Sequence, residues 1–188
     1  VEKLKIQSDD ITNLSLPKSS PLLKTLILVS KSSSATATAT AIDLSGLTDL
    51  ESLLIAGYSI ESLDLTKLNK LKNLGAWNLG AIFPEMTDAF GTIPEKASRI
   101  SEVKLPANNV IENFIMRTAT LQDGKCDFDN LPKLKKFFCQ SPFFSNFTFA
   151  KSTELEILYA TAPTSGIKLN ADLGNKPKLK DITFRNAT

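Results

Sequence analysis

The sequence predicts a repeat solenoid built mostly of β-strand and loop, with little helix, and three observations carry that prediction. A short phrase, apolar-x-x-apolar-x-apolar, returns along the whole chain. Its tightest copies start 21 residues apart. In several units a second copy of the phrase follows ten residues behind the first. A unit of two short extended segments separated by a bend cannot bury its apolar side alone, whereas a stack of such units can.

The stretch LTDLESLLIAGYSIESLDLTKLNKLKNLGAW, Leu47 to Trp77, shows the phrase most plainly. Searching outward from Leu50 gives eight units in order. The first four are Val1/Leu4/Ile6, Leu23/Leu26/Leu28, Leu50/Leu53/Ile55 and Leu71/Leu74/Ala76. The last four are Ile100/Val103/Leu105, Leu134/Phe137/Cys139, Leu155/Leu158/Ala160 and Leu179/Ile182/Phe184. Their starts are 22, 27, 21, 29, 34, 21 and 24 residues apart, so the longer steps read as the same unit carrying an insertion. Second phrases stand at Ile11/Leu14/Leu16, Ile60/Leu63/Leu65 and Phe144/Phe147/Phe149, with weaker copies ending in Ile42/Leu44 and Ile167/Leu169. The expected organisation is one domain, 1–188, of about eight irregular units with insertions near 31–41, 80–99 and 118–130.

Composition bounds the function. With 42% hydrophobic and 22% charged residues in 188, the chain has the make-up of a folded soluble domain. A formal charge of +2, from 22 basic and 20 acidic residues without long runs of either sign, gives no basic stripe for nucleic acid. No stretch reaches the roughly 18 unbroken apolar residues that cross a bilayer as a helix. The chain opens at Val1 with no initiator Met and no visible signal peptide, so a processed or excerpted form is expected. Histidine is absent, which removes Ser-His and Cys-His nucleophile pairs and imidazole metal ligands. Cys126 and Cys139 make neither a zinc quartet nor a disulfide framework, and leave a single bridge open.

Asp9–Asp10 is the only adjacent acidic pair, and neighbours on a strand face opposite sides. Cys139 falls on an inward position and reads as core. Gln122 to Asn130, QDGKCDFDN, gathers three Asp but lacks the Glu and ligand spacing of a calcium loop, so it reads as a solvated acidic turn. Lys31 to Ala41, KSSSATATATA, reads as an exposed loop of small residues. Sequons at Asn13, Asn146 and Asn186 do not argue for glycosylation in a chain this rich in Asn, Ser and Thr. No enzyme, metal or cofactor is expected.

The phrase resembles the leucine-rich repeat, L-x-x-L-x-L-x-x-N/C-x-L. More narrowly, IDLSGLTDLESLLIAGYSIESLDLTKLNKLKNLGAW is similar to the short 21–24-residue repeats of BspA-like bacterial surface proteins, which pair an LDLS/LDLT block with an LxxLxC strand. Leu131 to Ala160 is a divergent copy with Cys139 in the small-residue slot, and Ile100 to Phe114, ISEVKLPANNVIENF, is similar to the LPxNVxxI wording of the same repeats. The resemblance covers nearly the whole chain, with 81–99 and 118–130 fitting poorly. It implies a right-handed leucine-rich repeat solenoid with a parallel β-sheet on its concave face. The chain departs from the family at the ninth position, where an Asn normally satisfies the bend. Here stand Asp9, Lys31, Tyr58, Leu79, Asn108, Pro142, Pro163 and Ala187. Only Asn108 fits and Asp9 can substitute, so buried donors at the other bends need another solution, with the prolines one candidate.

In such a repeat the third, fifth and seventh residues of each unit face outward across the sheet. These include Lys3, Lys5, Gln7, then Glu102, Lys104, Pro106, and also the large apolar Ile27, Leu54, Trp77, Phe138, Ile157 and Tyr159. An exposed apolar and aromatic patch of this kind marks a contact surface. Alternatively Gly80 to Arg99, with Phe83 and Phe90, folds back and covers it. The resemblance implies a secreted or cell-surface protein. The leading expectation is a non-catalytic module binding a protein partner through Trp77, Phe138, Tyr159, Leu54, Ile27 and Ile157. A glycan-binding protein with the aromatics stacked on sugar rings, and a passive spacer, are the alternatives. Bare solenoid ends expose core and tend to pair, so a preceding domain or a dimer through the uncapped ends is also expected.

Overall fold

A computed structural model describes residues 1–9, 11, 14, 16, 20–31, 37–38, 42–76, 98–118, 120–140, 146–162 and 170–186. Thirteen strands are found among them: β1 Lys3–Gln7, β2 Thr25–Val29, β3 Ala37–Thr38, β4 Ser52–Ala56, β5 Tyr58–Asp64, β6 Asn73–Gly75 and β7 Arg99–Lys104. The series continues with β8 Asn113–Arg117, β9 Lys136–Gln140, β10 Asn146–Thr148, β11 Ile157–Ala162, β12 Asn170–Asp172 and β13 Asp181–Asn186. A single 3-10 turn, Phe128–Asn130, is the only helical element among the described residues.

The molecule is a parallel-strand β-solenoid. Eight strands form the large sheet in the order β1-β2-β4-β6-β8-β9-β11-β13, every pair parallel and visited in chain order. Smaller parallel sheets, β3-β5-β7 and β10-β12, are built from the second segment of successive units. Between the second segment and the next strand of the large sheet the chain bends through consecutive tight turns. Leu47 N–H donates to Leu44 O at 3.0 Å and Leu50 N–H to Leu47 O at 2.9 Å, and Leu65, Leu68 and Leu71 repeat the pattern. Three-residue spacing on such turns aims all three leucines inward. The Asp of each LDLS or LDLT block sets the first bend: Asp43 Oδ1 accepts from Ser45 N–H at 2.9 Å, and Asp64 Oδ1 from Thr66 N–H at 2.9 Å.

The inward residues make one continuous core. Leu26, Leu53, Leu74, Phe114, Phe137 and Leu158 lie in consecutive strands, all buried to within 1% exposure. Towards the C-terminal half the filling turns aromatic. Phe137 stands 5.4 Å from Phe114, 5.0 Å from Phe128 and 4.8 Å from Phe149, ring centroid to centroid. Buried apolar surface and edge-to-face geometry both contribute there.

The fifth unit differs from expectation. Ile100, Val103 and Leu105 lie in or beside β7, which pairs with β5 in the second sheet, so they match Ile60/Leu63/Leu65 and not the first phrase of a unit. The large sheet takes its fifth strand from Ile111/Phe114/Met116, which places Asn113, Ile115 and Arg117 outward in place of Glu102, Lys104 and Pro106. Both triplets fit the apolar template, and only the pairing partner separates them. Residues 120–130 contribute Leu121, Cys126 and Phe128 to the core.

The bends are satisfied by hydroxyls. Ser98 Oγ accepts from Gly57 N–H at 3.1 Å and donates to Ile55 O at 3.1 Å. Gly57 has a φ of 81°, a conformation open to a residue without a Cβ. Thr118 Oγ1 accepts from Ile100 N–H at 2.8 Å and donates to Ile100 O. The buried Tyr58 reaches Ser8 O at 2.5 Å, and Asp9 Oδ1 accepts from Ser30 Oγ at 2.8 Å. Asn108 is exposed. Its neighbour Asn109 is the buried one, donating to Pro106 O and Asn130 O. Leu79, Pro142, Pro163 and Ala187 lie outside the described residues.

One row of charges runs along the entry edge of the large sheet. The residue preceding the outward row is, strand by strand, Glu2, Lys24, Glu51, Lys72, Glu112, Lys135, Glu156 and Lys180, a strict alternation of sign. Lys72 lies 2.9 Å from Glu51, Lys135 2.7 Å from Glu112, Lys180 2.9 Å from Glu156 and Lys24 3.6 Å from Glu51. A shorter second row pairs Lys70 with Asp49, and Lys178 with Glu154 at 2.6 Å. The backbone at the ladder position is stacked too: Lys24 O, for instance, accepts from both Glu51 N–H and Ser52 N–H at 2.9 Å.

Two outcomes follow for stability. Phe137→Ala removes the centre of the aromatic cluster and is expected to cost about 3–5 kcal/mol in urea unfolding. Hydrogen bonds from Lys72, Lys70, Lys178 and Lys180, ahead of their Coulomb attraction, hold the Glu51, Asp49, Glu154 and Glu156 carboxyls below their ordinary values. Groups depressed on folding stabilise above their unfolded pKa and lose that contribution as pH falls through the folded pKa. The melting temperature is therefore expected to fall on acidification below the ordinary carboxylate range. Because the pairs are largely exposed, added salt should shrink the drop.

Candidate functional site

The outer face of the large sheet is built from alternate residues of its strands, and register stacks them in three rows. The first row runs Lys3, Thr25, Ser52, Asn73, Asn113, Lys136, Ile157, Asp181. Its middle is tied by side chains: Asn113 Nδ2 donates to Asn73 Oδ1 at 2.8 Å, and Asn73 Nδ2 to Ser52 Oγ at 2.9 Å. The central row runs Lys5, Ile27, Leu54, Gly75, Ile115, Phe138, Tyr159, Thr183.

The central row is a second apolar core. Ile27 is 0% exposed, Leu54 1%, Ile115 0% and Phe138 3%, and Val29 and Ala56 join them. Leu26 and Leu28 of the same strand belong to the inner core, so the sheet is buried on both faces from β2 to β9. This corrects the exposed patch expected from the sequence: three of its members, Ile27, Leu54 and Phe138, are covered within the chain. The sequence carried a signal for this. LILV in β2, LLIA in β4, FIM in β8 and FFC in β9 are unbroken apolar runs, the mark of strands buried on two sides. Ile115 was missed with the misassigned fifth unit. Trp77 and residues 80–97 of the segment expected to fold over this face lie outside the described residues.

Cover gives way at the C-terminal third of the face. Ile157 and Tyr159 are half-buried against the second core. The Tyr159 ring stacks on Phe138 with centroids 4.4 Å apart and planes at 11°, and the Arg185 guanidinium carbon lies 5.7 Å from its centroid. Since β9 and β13 flank β11 on opposite sides, Phe138 and Arg185 approach the ring from opposite sides. Tyr159 is half-exposed here, beside the half-buried Ile157 and the exposed Asp181 and Arg185.

Other groups with chemical potential are engaged structurally. A cleft of about 130 Å³ is lined by Asp43, Ser45, Asp64, Thr66 and Lys67, and its two Asp side chains close the tight turns described above. Hydrogen bonds from Thr66 hold the Asp64 carboxyl below its ordinary value. Among the described residues no group of three or more His, Cys, Asp or Glu is placed to hold a metal ion. Cys126 and Cys139 are both free and buried. Burial pushes the Cys139 thiol up to about 12 and raises Cys126 well above its ordinary value. No helix among the described residues is long and apolar enough to cross a membrane.

No protein-family model, curated protein or solved structure matches this chain.

Because only the thiolate is reactive, both cysteines should resist a thiol-specific reagent at pH 8 in the native protein. In denaturant, two thiols per chain should react. Native-state labelling of either, followed by peptide mapping, would show that the core opens around it.

Proposed function

We propose that this chain is a non-catalytic interaction module that takes a protein partner on the outer face of its large sheet. The single observation that carries the reading is the half-covered aromatic cluster at the C-terminal third of that face: Tyr159, backed by Phe138 and Arg185 and bordered by Ile157. A rigid aromatic anchor seated among apolar and charged neighbours is the make-up of an interface hot spot. The binding set from the sequence narrows accordingly, with Tyr159 and Ile157 as contacts, Phe138 stacked beside Tyr159, and Leu54 and Ile27 buried further along the same row.

The same stack favours a protein partner over a glycan. Sugar rings dock on an open aromatic face, and both faces of Tyr159 are already approached within the sheet. A protein partner can use the ring edge, the hydroxyl and the Arg185 charge together. As for the wider setting, the repeat wording supports a divergent BspA-like leucine-rich repeat of a secreted or cell-surface bacterial protein, with this sheet as its concave face. A passive spacer is the remaining alternative.

Tyr159→Ala and Arg185→Glu change the outer face and leave the inner core untouched. Probed side by side with the unaltered chain on a protein microarray and a glycan array, each is expected to weaken the protein signal by about 2 kcal/mol, roughly thirtyfold in Kd. Far-ultraviolet circular dichroism should be unchanged. Binding retained by both variants, or binding confined to glycans, would overturn the proposal.

A further inference from the structure

The outer face of the large sheet changes its charge along the stack. From β2 to β6 none of its outward positions is charged. From β8 to β13 they carry Arg117, Lys136 and Arg185 against the single Asp181. Arg117, Gln140, Thr161 and Arg185 make the third row, across the central Tyr159 from Lys136, Ile157 and Asp181 of the first. The ladder beside this part of the face does not cancel the excess. Glu156, within electrostatic reach of Lys136, already pairs with Lys180 at 2.9 Å. The whole chain leans the same way: residues 98–188 hold 13 basic and 9 acidic side chains, whereas residues 1–97 hold 9 and 11. An anionic segment is therefore drawn towards the part of the face where Tyr159 stands.

The neighbours of Tyr159 fit a carboxylate set beside an apolar side chain. Tyr159 and Ile157 offer half-buried apolar surface packed on the second core. Arg185 is exposed, and its guanidinium carbon lies 5.7 Å from the Tyr159 ring centroid. A guanidinium held against an aromatic ring is a positioned fork, the group that takes a carboxylate through two parallel hydrogen bonds. Asp181 lies four residues before Arg185 on the same strand, about 13 Å away at the usual rise. It repels a carboxylate from the first-row side and so sets which way round an acidic segment lies. A phosphate polymer fits this surface poorly, because it needs a continuous run of cations and here apolar side chains and Asp181 interrupt them. A protein segment carries apolar and acidic groups one residue apart.

We infer that the partner engaged at Tyr159 presents an acidic segment, with an Asp or Glu carboxylate on Arg185 and an apolar side chain on Tyr159 and Ile157. The inference rests on the docking reading above and adds the partner's chemistry to it.

The test is selection of random phage-displayed peptides on the unaltered chain, followed by fluorescence anisotropy with synthetic copies of those recovered. The recovered peptides are expected to be enriched in Asp or Glu next to an apolar residue, and to bind more weakly as salt is raised. Arg185→Glu should weaken them at least about tenfold, and Asp181→Asn should tighten them roughly threefold, a gain that damage to the fold does not mimic. Both positions are exposed, so circular dichroism should be unchanged in each variant. Peptides that need Tyr159 but show no acidic preference, and bind Arg185→Glu as well as the unaltered chain, overturn this inference and leave the interaction-module reading standing. Peptides indifferent to Tyr159→Ala, or a selection that recovers none, overturn both. Oligothymidine that binds as tightly as the best peptide overturns the inference in favour of a general polyanion site.

Discussion

Everything in this molecule depends on stacking one circuit of chain on the last in strict parallel register. The residue before each strand of the large sheet gives its carbonyl to two amides of the next, and the inward leucines and phenylalanines touch only because that step is repeated. A single circuit has neither a core nor satisfied backbone. The charge ladder then fixes which circuit lies beside which. Individually its pairs are exposed and weak. Their collective effect is to penalise the wrong neighbour, because a circuit displaced by one position faces its own sign along the whole edge.

Much of this was legible in the sequence, and the misreading of the fifth unit is instructive. Apolar periodicity identified the solenoid and its paired short strands, since each rests on residues close in the chain. It could not tell a first segment from a second, because Ile100/Val103/Leu105 and Ile111/Phe114/Met116 satisfy the same template. Charge would have told them apart. Glu112 follows Ile111 and keeps the alternation after Lys72, while Ser101 follows Ile100 and breaks it. The asparagine expected at a bend, Asn108, is exposed, and it is the neighbouring Asn109 that is buried.

The outer face and the bends were less legible, for different reasons. Unbroken runs such as LILV and FFC did announce burial on both sides, but a template with one open face passes over them. The bends closed by distant hydroxyls carry no local signal. Ser98 serves Gly57, Thr118 serves Ile100, and Tyr58 serves Ser8 across 50 positions of chain. A hydroxyl that completes a corner in another circuit looks, in the linear sequence, like any other Ser, Thr or Tyr. The candidate site shares the difficulty, because the Phe138–Tyr159–Arg185 stack exists only once three strands are laid side by side.

The alternating edge also constrains how such a chain changes length. Although the backbone repeats with every circuit, the electrostatic pattern repeats only with every second one. Duplicating or deleting a single circuit would leave two lysines or two glutamates adjacent at the seam, while a change by an even number would heal without a mismatch. Growth and loss of this architecture are therefore quantised in pairs, and an odd-numbered relative should betray itself by a compensating charge swap.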